Sequence, residues 1–198
     1  MASFEITKKI VSVRLGEAVV EPVVEAVMVT DVKLPEDAAA RVKTLRAEGK
    51  KWYVTVAYLP DSKEPFALFC HTNNKEKSAQ TEDAVERLIA LARKAGILDA
   101  HIQSLEEKIA GESNVTKLTR TISLLLRHRV PIKVIVHTLD TMDIFVGSFL
   151  FQIKKFLSHY VKDGEKVEGG KCGDCGSENL VYSEGCMVCA DCGHSHCG

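Results

Sequence analysis

The sequence predicts an α+β fold followed by a small cysteine-rich module. Apolar residues alternate with a period of two between residues 41 and 72, and from residue 79 their spacing changes to about 3.6 residues. Two Cys-x-x-Cys-Gly steps follow close to the C-terminus. We therefore expect a small antiparallel β-meander covered by about five helices, with a ribbon-like module after it.

The first part of the chain predicts an N-terminal extension over residues 1–40 and then the meander. The extension has an alternating apolar run and a valine-rich segment but no functional motif. Three strands are expected, with a turn at Glu48-Gly49 after the first of them. Cys70 falls in the third strand and is expected to be a core cysteine. The expected strands cover residues 41–46, 52–58 and 65–71.

The helical part of the body extends to residue 161. Thr81 is expected to cap the first helix and Asn114 the third, because both side chains can accept a backbone hydrogen bond at a helix start. Gly96 and Gly111 are typical stop signals for the first two helices. The second helix is expected over 99–109, the fourth from Pro131 to residue 139, and the fifth over 148–160.

The third helix carries a basic stripe of Lys117, Arg120 and Arg127, with Arg129 just beyond it. A phosphate site would need such cations, but a solvated helix face is the commoner fate of exposed Lys and Arg. We favour the solvated face. If the stripe binds anything, a partner subunit is the expected contact.

The C-terminal module, residues 171–198, predicts a zinc ribbon. In each Cys-x-x-Cys-Gly step the glycine permits the tight turn that aims two thiolates at one ion, and residues 176–188 leave room for a hairpin between the steps. A disulfide framework is disfavoured because we find no signal peptide and expect a cytoplasmic protein, whose thiols stay reduced. The predicted zinc ligands are Cys172, Cys175, Cys189 and Cys192. Cys186, His194 and His196 are the less favoured alternative ligands.

Residues 162–170 are charged and rich in glycine, and they predict a flexible linker to the ribbon. From residue 162 onward, acidic side chains outnumber Lys and Arg, and four thiolates around Zn²⁺ would add negative charge. Nucleic-acid binding is therefore disfavoured, since it needs cations that neutralise phosphates. A membrane span is also not expected, because Asp140, Asp143 and Lys154 interrupt the longest apolar stretch.

Two cysteines of the module, Cys186 and Cys197, remain after the four expected ligands are counted. Such a pair can attack a disulfide of a partner through a mixed disulfide, and it can equally be idle. The rest of the chain shows no phosphate-binding glycine loop, nucleophile elbow or distinct carboxylate pair. Any chemistry is expected to belong to these thiols or to another chain.

Six stretches of the body and of the module form a recognisable set. They are KWYVTV (51–56), PFALF (65–69), SNVTKLTR (113–120), VPI (130–132), EGCMVC (184–189) and the final Cys197-Gly198. Together they resemble the C-terminal region of adenosylcobalamin-dependent (class II) ribonucleotide reductases. The likeness covers about residues 35–198, and its most specific part is the order of six cysteines at the end.

The resemblance implies a TSCPD-type domain over residues 41–161 and a role in deoxyribonucleotide synthesis for DNA replication. In that family a mobile C-terminal cysteine pair reduces the disulfide that substrate reduction leaves in the catalytic barrel. A thioredoxin-like protein then reduces the pair. Carried onto this chain, Cys186 and Cys197 are the redox pair beside four zinc ligands. The barrel and its adenosylcobalamin site need a much longer stretch of chain, so a separate catalytic chain is the implied partner, and this chain would be the smaller subunit of a split ribonucleoside-diphosphate reductase.

The second hypothesis is a non-catalytic zinc-ribbon module that binds a protein or regulates transcription. In that case the metal only stabilises a contact surface, Cys186 and Cys197 are idle, and the basic stripe is the contact site. The two hypotheses differ in the number of thiols that react without affecting the metal.

Overall fold

The fold is described from a computed structural model of the chain, which describes residues 37–59, 64–71, 79–167 and 170–195. Most of the predicted N-terminal extension therefore lies outside the described residues. Within these ranges the body contains three strands followed by five helices, and the module contains a two-stranded hairpin. The elements are β1 (Ala40–Ala47), β2 (Lys50–Tyr58), β3 (Pro65–His71), α1 (Ala79–Lys94), α2 (Asp99–Ile109), α3 (Asn114–Arg127), α4 (Ile132–Asp140), α5 (Phe149–Ser158), β4 (Leu180–Ser183) and β5 (Cys186–Cys189).

The body strands form an antiparallel sheet in the order β1-β2-β3, as the alternating pattern predicts. Trp52, Val54 and Val56 of β2 are completely buried, because they point from the sheet toward the helices. The Trp52 ring lies on that of Phe149 at the start of α5, with 4.4 Å between the ring centroids. The contact fixes α5 against the sheet, and the α+β prediction is confirmed.

The other face of the sheet carries apolar side chains that are exposed. Val42, Thr55 and Phe69 are neighbours across the three strands, and Tyr53 lies next to them on β2. Val42 and Phe69 keep 61% and 49% of their surface exposed. The core of the body therefore lies on the helical side of the sheet.

Helix α3 is the central helix of the body and packs along β3 and against α1, α2 and α4. Apolar residues recur every three or four positions along α3 and therefore form one apolar side of the helix. That side is buried against the rest of the body. Ser123 joins the helix to the sheet: its Oγ accepts from the Leu68 backbone N–H and donates to the Leu68 C=O, each at 2.9 Å. The buried residues of α3 are Asn114, Val115, Leu118, Thr119, Thr121, Ile122, Leu125 and Leu126.

Two helix starts differ from the prediction. Ser113 caps α3, since its backbone is extended and its Oγ accepts from the Thr116 N–H at 3.3 Å. Asn114 is the first helical residue and is buried. Helix α1 begins at Ala79, so Thr81 lies inside its first turn, where it is also buried. The predicted cap residues were therefore wrong, although the helices themselves are present.

Among the described residues, no helix combines the length and the apolar character that crossing a membrane requires. Cys70 packs against the body core and is partly buried, and burial raises the pKa of its thiol to about 12.

Candidate metal centre

The cysteine-rich module is built around the β4–β5 hairpin, which the sequence predicts between the two cysteine steps. Leu180 pairs with Cys189 and Ser183 pairs with Cys186, and Glu184-Gly185 forms the turn. Because Cys189 ends β5, the second cysteine step begins where the hairpin ends. The hairpin thus returns the chain to the first step and brings the two steps together.

The two steps form the same backbone turn. The N–H of Gly176 donates to the C=O of Cys172 at 2.9 Å, and the N–H of Gly193 donates in the same way to the C=O of Cys189. Gly176 and Gly193 have φ angles of 73° and 75°, a left-handed conformation that glycine adopts without strain. The first cysteine of each step also donates its N–H to the carbonyl five residues later, Ser177 or His194, at 2.8 Å. Residues 172–176 and 189–193 therefore form two equivalent turns, here called the first and the second knuckle, and these face each other.

Four sulfur atoms converge between these knuckles. The Sγ atoms of Cys172 and Cys192 are 3.6 Å apart, as are those of Cys175 and Cys189, and all four lie within 4.8 Å of one another. Four sulfurs at about 2.3 Å from a tetrahedral Zn²⁺ would be separated by about 3.8 Å. The donor set and its spacing fit a metal ion such as zinc. The four residues are those that the sequence predicts as ligands, and Cys186 is not among them.

Backbone N–H groups in and directly after the second knuckle point at the sulfur atoms and stabilise the thiolate form of the cysteines. The N–H groups of Cys192 and Asp191 hydrogen bond to the Cys189 sulfur and lower the pKa of this thiol to about 7. The N–H of His194 acts in the same direction on Cys192, but hydrogen bonds with neighbouring thiols and burial raise the pKa of Cys192 to about 12. Without a metal, the Cys189 thiol thus releases its proton more readily than the Cys192 thiol. A bound cation would favour the thiolate form of all four.

Asp191 connects the two knuckles through its carboxylate. It accepts hydrogen bonds from the hydroxyl of Ser177 and, at 2.9 Å, from the side-chain amide of Asn179. These bonds lower the pKa of Asp191 below its ordinary value. Ser177 and Asn179 follow the first knuckle, whereas Asp191 lies inside the second, so this bridge holds the four sulfurs at their spacing. Asp191 could not be predicted as part of the site, because nothing in the sequence around it indicates a contact across the hairpin.

The hairpin packs against the body and against part of the segment predicted as a linker. Residues 164–167 run beside β4, where the Tyr182 N–H donates to the Glu165 C=O and the Val167 N–H donates to the Leu180 C=O, both at 2.9 Å. The side chain of Tyr182 is buried, and burial followed by the charge of Asp140 raises its pKa. Asp140 itself pairs with Lys154 at 2.7 Å. Over residues 164–167 the predicted linker is therefore ordered in contact with the hairpin.

Of the two cysteines predicted as a redox pair, Cys186 is not part of the sulfur cluster. Cys186 begins β5, is partly buried and is disulfide-bonded. Cys197 lies outside the described residues, as does His196. The four knuckle cysteines carry free thiols, as does Cys70. His194 directly follows the second knuckle and is not part of the sulfur cluster.

The basic stripe predicted on α3 divides into two parts. Arg120 donates to the C=O of Lys108 at 3.0 Å and lies 3.6 Å from the carboxylate of Glu112. The Arg127 guanidinium lies 5.9 Å from the centroid of the Phe66 ring. Arg120 and Arg127 line one cavity, and Lys117 does not line it. The stripe is therefore not one uniform surface.

A search of protein-family models, of curated proteins and of solved structures finds no match to this chain.

Proposed function

We propose that this chain serves an adenosylcobalamin-dependent ribonucleotide reductase as the part that re-reduces its catalytic disulfide. In this proposal zinc binds Cys172, Cys175, Cys189 and Cys192, while Cys186 and Cys197 carry electrons. Adenosylcobalamin and the ribonucleotide are bound by a separate catalytic chain. A thioredoxin-like protein supplies the electrons.

The observation that supports this proposal is that the cysteines of the described module fall into two groups, four in the sulfur cluster and Cys186 outside it. The four of the cluster belong to the two knuckles. Cys186 is disulfide-bonded although five other cysteines of the described chain are free thiols. A thiol that forms a disulfide beside a closed metal site can change its redox state without losing the metal.

The proposed exchange is balanced in atoms and electrons. One thiolate of the pair attacks the partner's disulfide, forms a mixed disulfide and releases one partner sulfur, which takes up a proton. The second thiolate of the pair then attacks the mixed disulfide, closes the disulfide between Cys186 and Cys197 and releases the second partner thiol. Two electrons and two protons reach the partner. A thioredoxin-like dithiol returns the pair to its reduced state by the same two steps.

The test compares Cys186→Ser and Cys197→Ser with Cys70→Ser in the assembled reductase. We expect both tail variants to keep their zinc content and to complete one turnover after pre-reduction. They should lose repeated turnover driven by thioredoxin, whereas Cys70→Ser, a thiol change in the body, should retain it. Repeated turnover at the wild-type rate in either tail variant would refute the proposal.

The second candidate is a non-catalytic zinc module in which the metal stabilises a protein-binding surface. It is favoured by one observation: Leu180, Tyr182 and the two buried ligands, Cys172 and Cys189, belong to the same apolar core as the body. A metal placed there would fix the hairpin on the body. Titration of thiols in the zinc-loaded protein separates the candidates. The redox proposal requires two metal-independent thiols in the module that form a reversible intramolecular disulfide, whereas the binding module requires none.

A further inference from the structure

A cavity of about 440 Å³ lies on the body, away from the metal centre. It is formed where α2 and α3 meet β3, and its floor is the run from Ala67 to Cys70. Apolar side chains of Phe69, Leu105 and Leu124 contribute to its walls. Phe69 belongs to the edge strand β3, so its side chain, which lies on the open face of the sheet, borders the cavity at the sheet edge. The residue keeps 49% of its surface exposed and is open to a ligand there.

All ionisable side chains that line this cavity, apart from the Cys70 thiol, are basic. They are His101 and Lys108 from α2, Arg120 and Arg127 from α3, and His128 directly after α3. His101 Nδ1 lies 3.3 Å from His128 Nε2. No aspartate or glutamate is among the described lining residues. Glu112 offsets part of the charge of Arg120 from outside the cavity, but at 3.6 Å between exposed side chains this pair is weak.

Three of the four hydroxyl groups that line the cavity form hydrogen bonds within the fold. Ser123 bridges to β3, Thr119 donates to the carbonyls of Val115 and Thr116, and Thr116 bonds to Ser113. Lys108, by contrast, has no ion pair within the described part of the chain. Lys108 and Arg120 therefore place two positive charges in the cavity, which Phe69 also lines. This combination favours an anion that carries an apolar group.

We propose that this cavity binds a small soluble organic phosphate, with the phosphate at Lys108 and Arg120 and a flat apolar group against Phe69. Phosphate matches the cations because its oxygens accept several charge-assisted hydrogen bonds at once. The concave shape favours a small molecule over an extended macromolecular surface. This inference does not depend on the proposed redox function.

The experiment titrates the full chain with 1-naphthyl phosphate by calorimetry and compares it with 1-naphthol and with inorganic pyrophosphate. We expect saturable one-to-one binding of 1-naphthyl phosphate with a Kd below about 1 mM. Naphthol, which lacks the charge, and pyrophosphate, which lacks the ring, should each bind at least about tenfold more weakly. No saturation by 1-naphthyl phosphate, or equally tight binding of naphthol or pyrophosphate, would overturn the proposal.

Matched variants locate the site. Lys108→Gln combined with Arg120→Gln should weaken binding of 1-naphthyl phosphate by about tenfold or more, because two charge-assisted contacts are lost. Lys117→Gln removes a charge from the same α3 but outside the cavity, and it should change the Kd less than about twofold. Circular dichroism melts establish that all variants are folded. An equal loss in Lys117→Gln would show nonspecific attraction to the basic helix and would refute the site.

Discussion

At the scale of single residues, Asp191 shows how a contact outside the sulfur cluster sets the geometry of the cluster. Its two oxygens hold Ser177 and Asn179, which follow the other knuckle. Partners of this kind orient metal ligands and commonly change metal affinity by about 10- to 100-fold when removed. Its lowered pKa follows from the same two bonds. The stability that the bridge supplies is therefore fully present above the ordinary pKa of an aspartate and is lost as the pH falls through the lowered pKa of Asp191.

We predict that Asp191→Ala lowers zinc affinity by about tenfold, because the two knuckles lose their direct side-chain connection. Competition with a chromophoric chelator measures this change. Asp174→Ala is the matched control, since it removes an exposed carboxylate from the first knuckle that forms no hydrogen bond in the described chain. Equal effects of the two substitutions would mean that net charge, and not the bridge, controls the affinity.

At the scale of elements, Ser123 explains how the edge of the sheet is covered. Strand β3 has β2 on one side only, so the Leu68 N–H and C=O on the other side need partners. Both bond to the Ser123 hydroxyl, and that hydroxyl is also within 2.8 Å of the Thr119 carbonyl. The Ser123 side chain thus satisfies the backbone hydrogen bonds of Leu68 at the sheet edge. It also prevents another strand from pairing with β3 at this position.

We predict that Ser123→Ala destabilises the body by about 1–3 kcal/mol, because the Leu68 N–H and C=O lose their partner in a partly buried place. Urea unfolding followed by circular dichroism measures the loss. Ser158→Ala makes the same chemical change at a buried serine whose hydroxyl, among the described residues, donates to the Lys155 carbonyl within α5 and does not bridge to the sheet. We expect a smaller loss there. A larger loss in Ser158→Ala would show that the bridge to β3 is not the cause.

The elements differ in how far the sequence could predict them. The meander, the five helices and the four clustered cysteines follow from local periods and spacing, because each depends on residues close in sequence. The cap at Ser113 was missed because Ser113 and Asn114 are adjacent and both are common caps. The strand-like pairing of residues 164–167, the Asp191 bridge and the cavity between α2 and α3 depend on contacts between distant segments. No local pattern carries that information.

At the scale of the whole molecule, the cysteine-rich module and the body share one apolar core. Tyr182 of the hairpin is 3% exposed and lies beside the Asp140–Lys154 ion pair of the body. The Glu184 N–H also donates to the Asp163 carboxylate at 2.7 Å, which fixes the hairpin turn. The hairpin is therefore held both through its buried Tyr182 and through its turn.

We predict that Tyr182→Ala releases the hairpin from the body and lowers the free energy of unfolding by about 3 kcal/mol, as expected when a buried aromatic side chain is removed. The knuckle ligands stay in place, so zinc content should not change. Amide hydrogen exchange over residues 163–167 should rise in the variant. Tyr53→Ala is the control, because Tyr53 is 51% exposed on the open face of the sheet. Unchanged exchange in Tyr182→Ala would show that the hairpin is held by other contacts.

Removal of the metal tests whether this shared core couples the module to the body. A ligand present at about 100 times its Kd adds about 2.7 kcal/mol to the stability of the unit that binds it. For a chain of this size, about 1 kcal/mol corresponds to about 2–4 °C in melting temperature. Chelation of zinc should therefore lower the melting temperature of the body helices by about 5–10 °C. Acid should have the same effect, because protons compete with the metal for the four thiolates, so stability that zinc supplies near pH 7 is lost as the pH falls. Zinc loss that leaves the melting of the body unchanged would mean that the hairpin packs on the body without contributing to its stability.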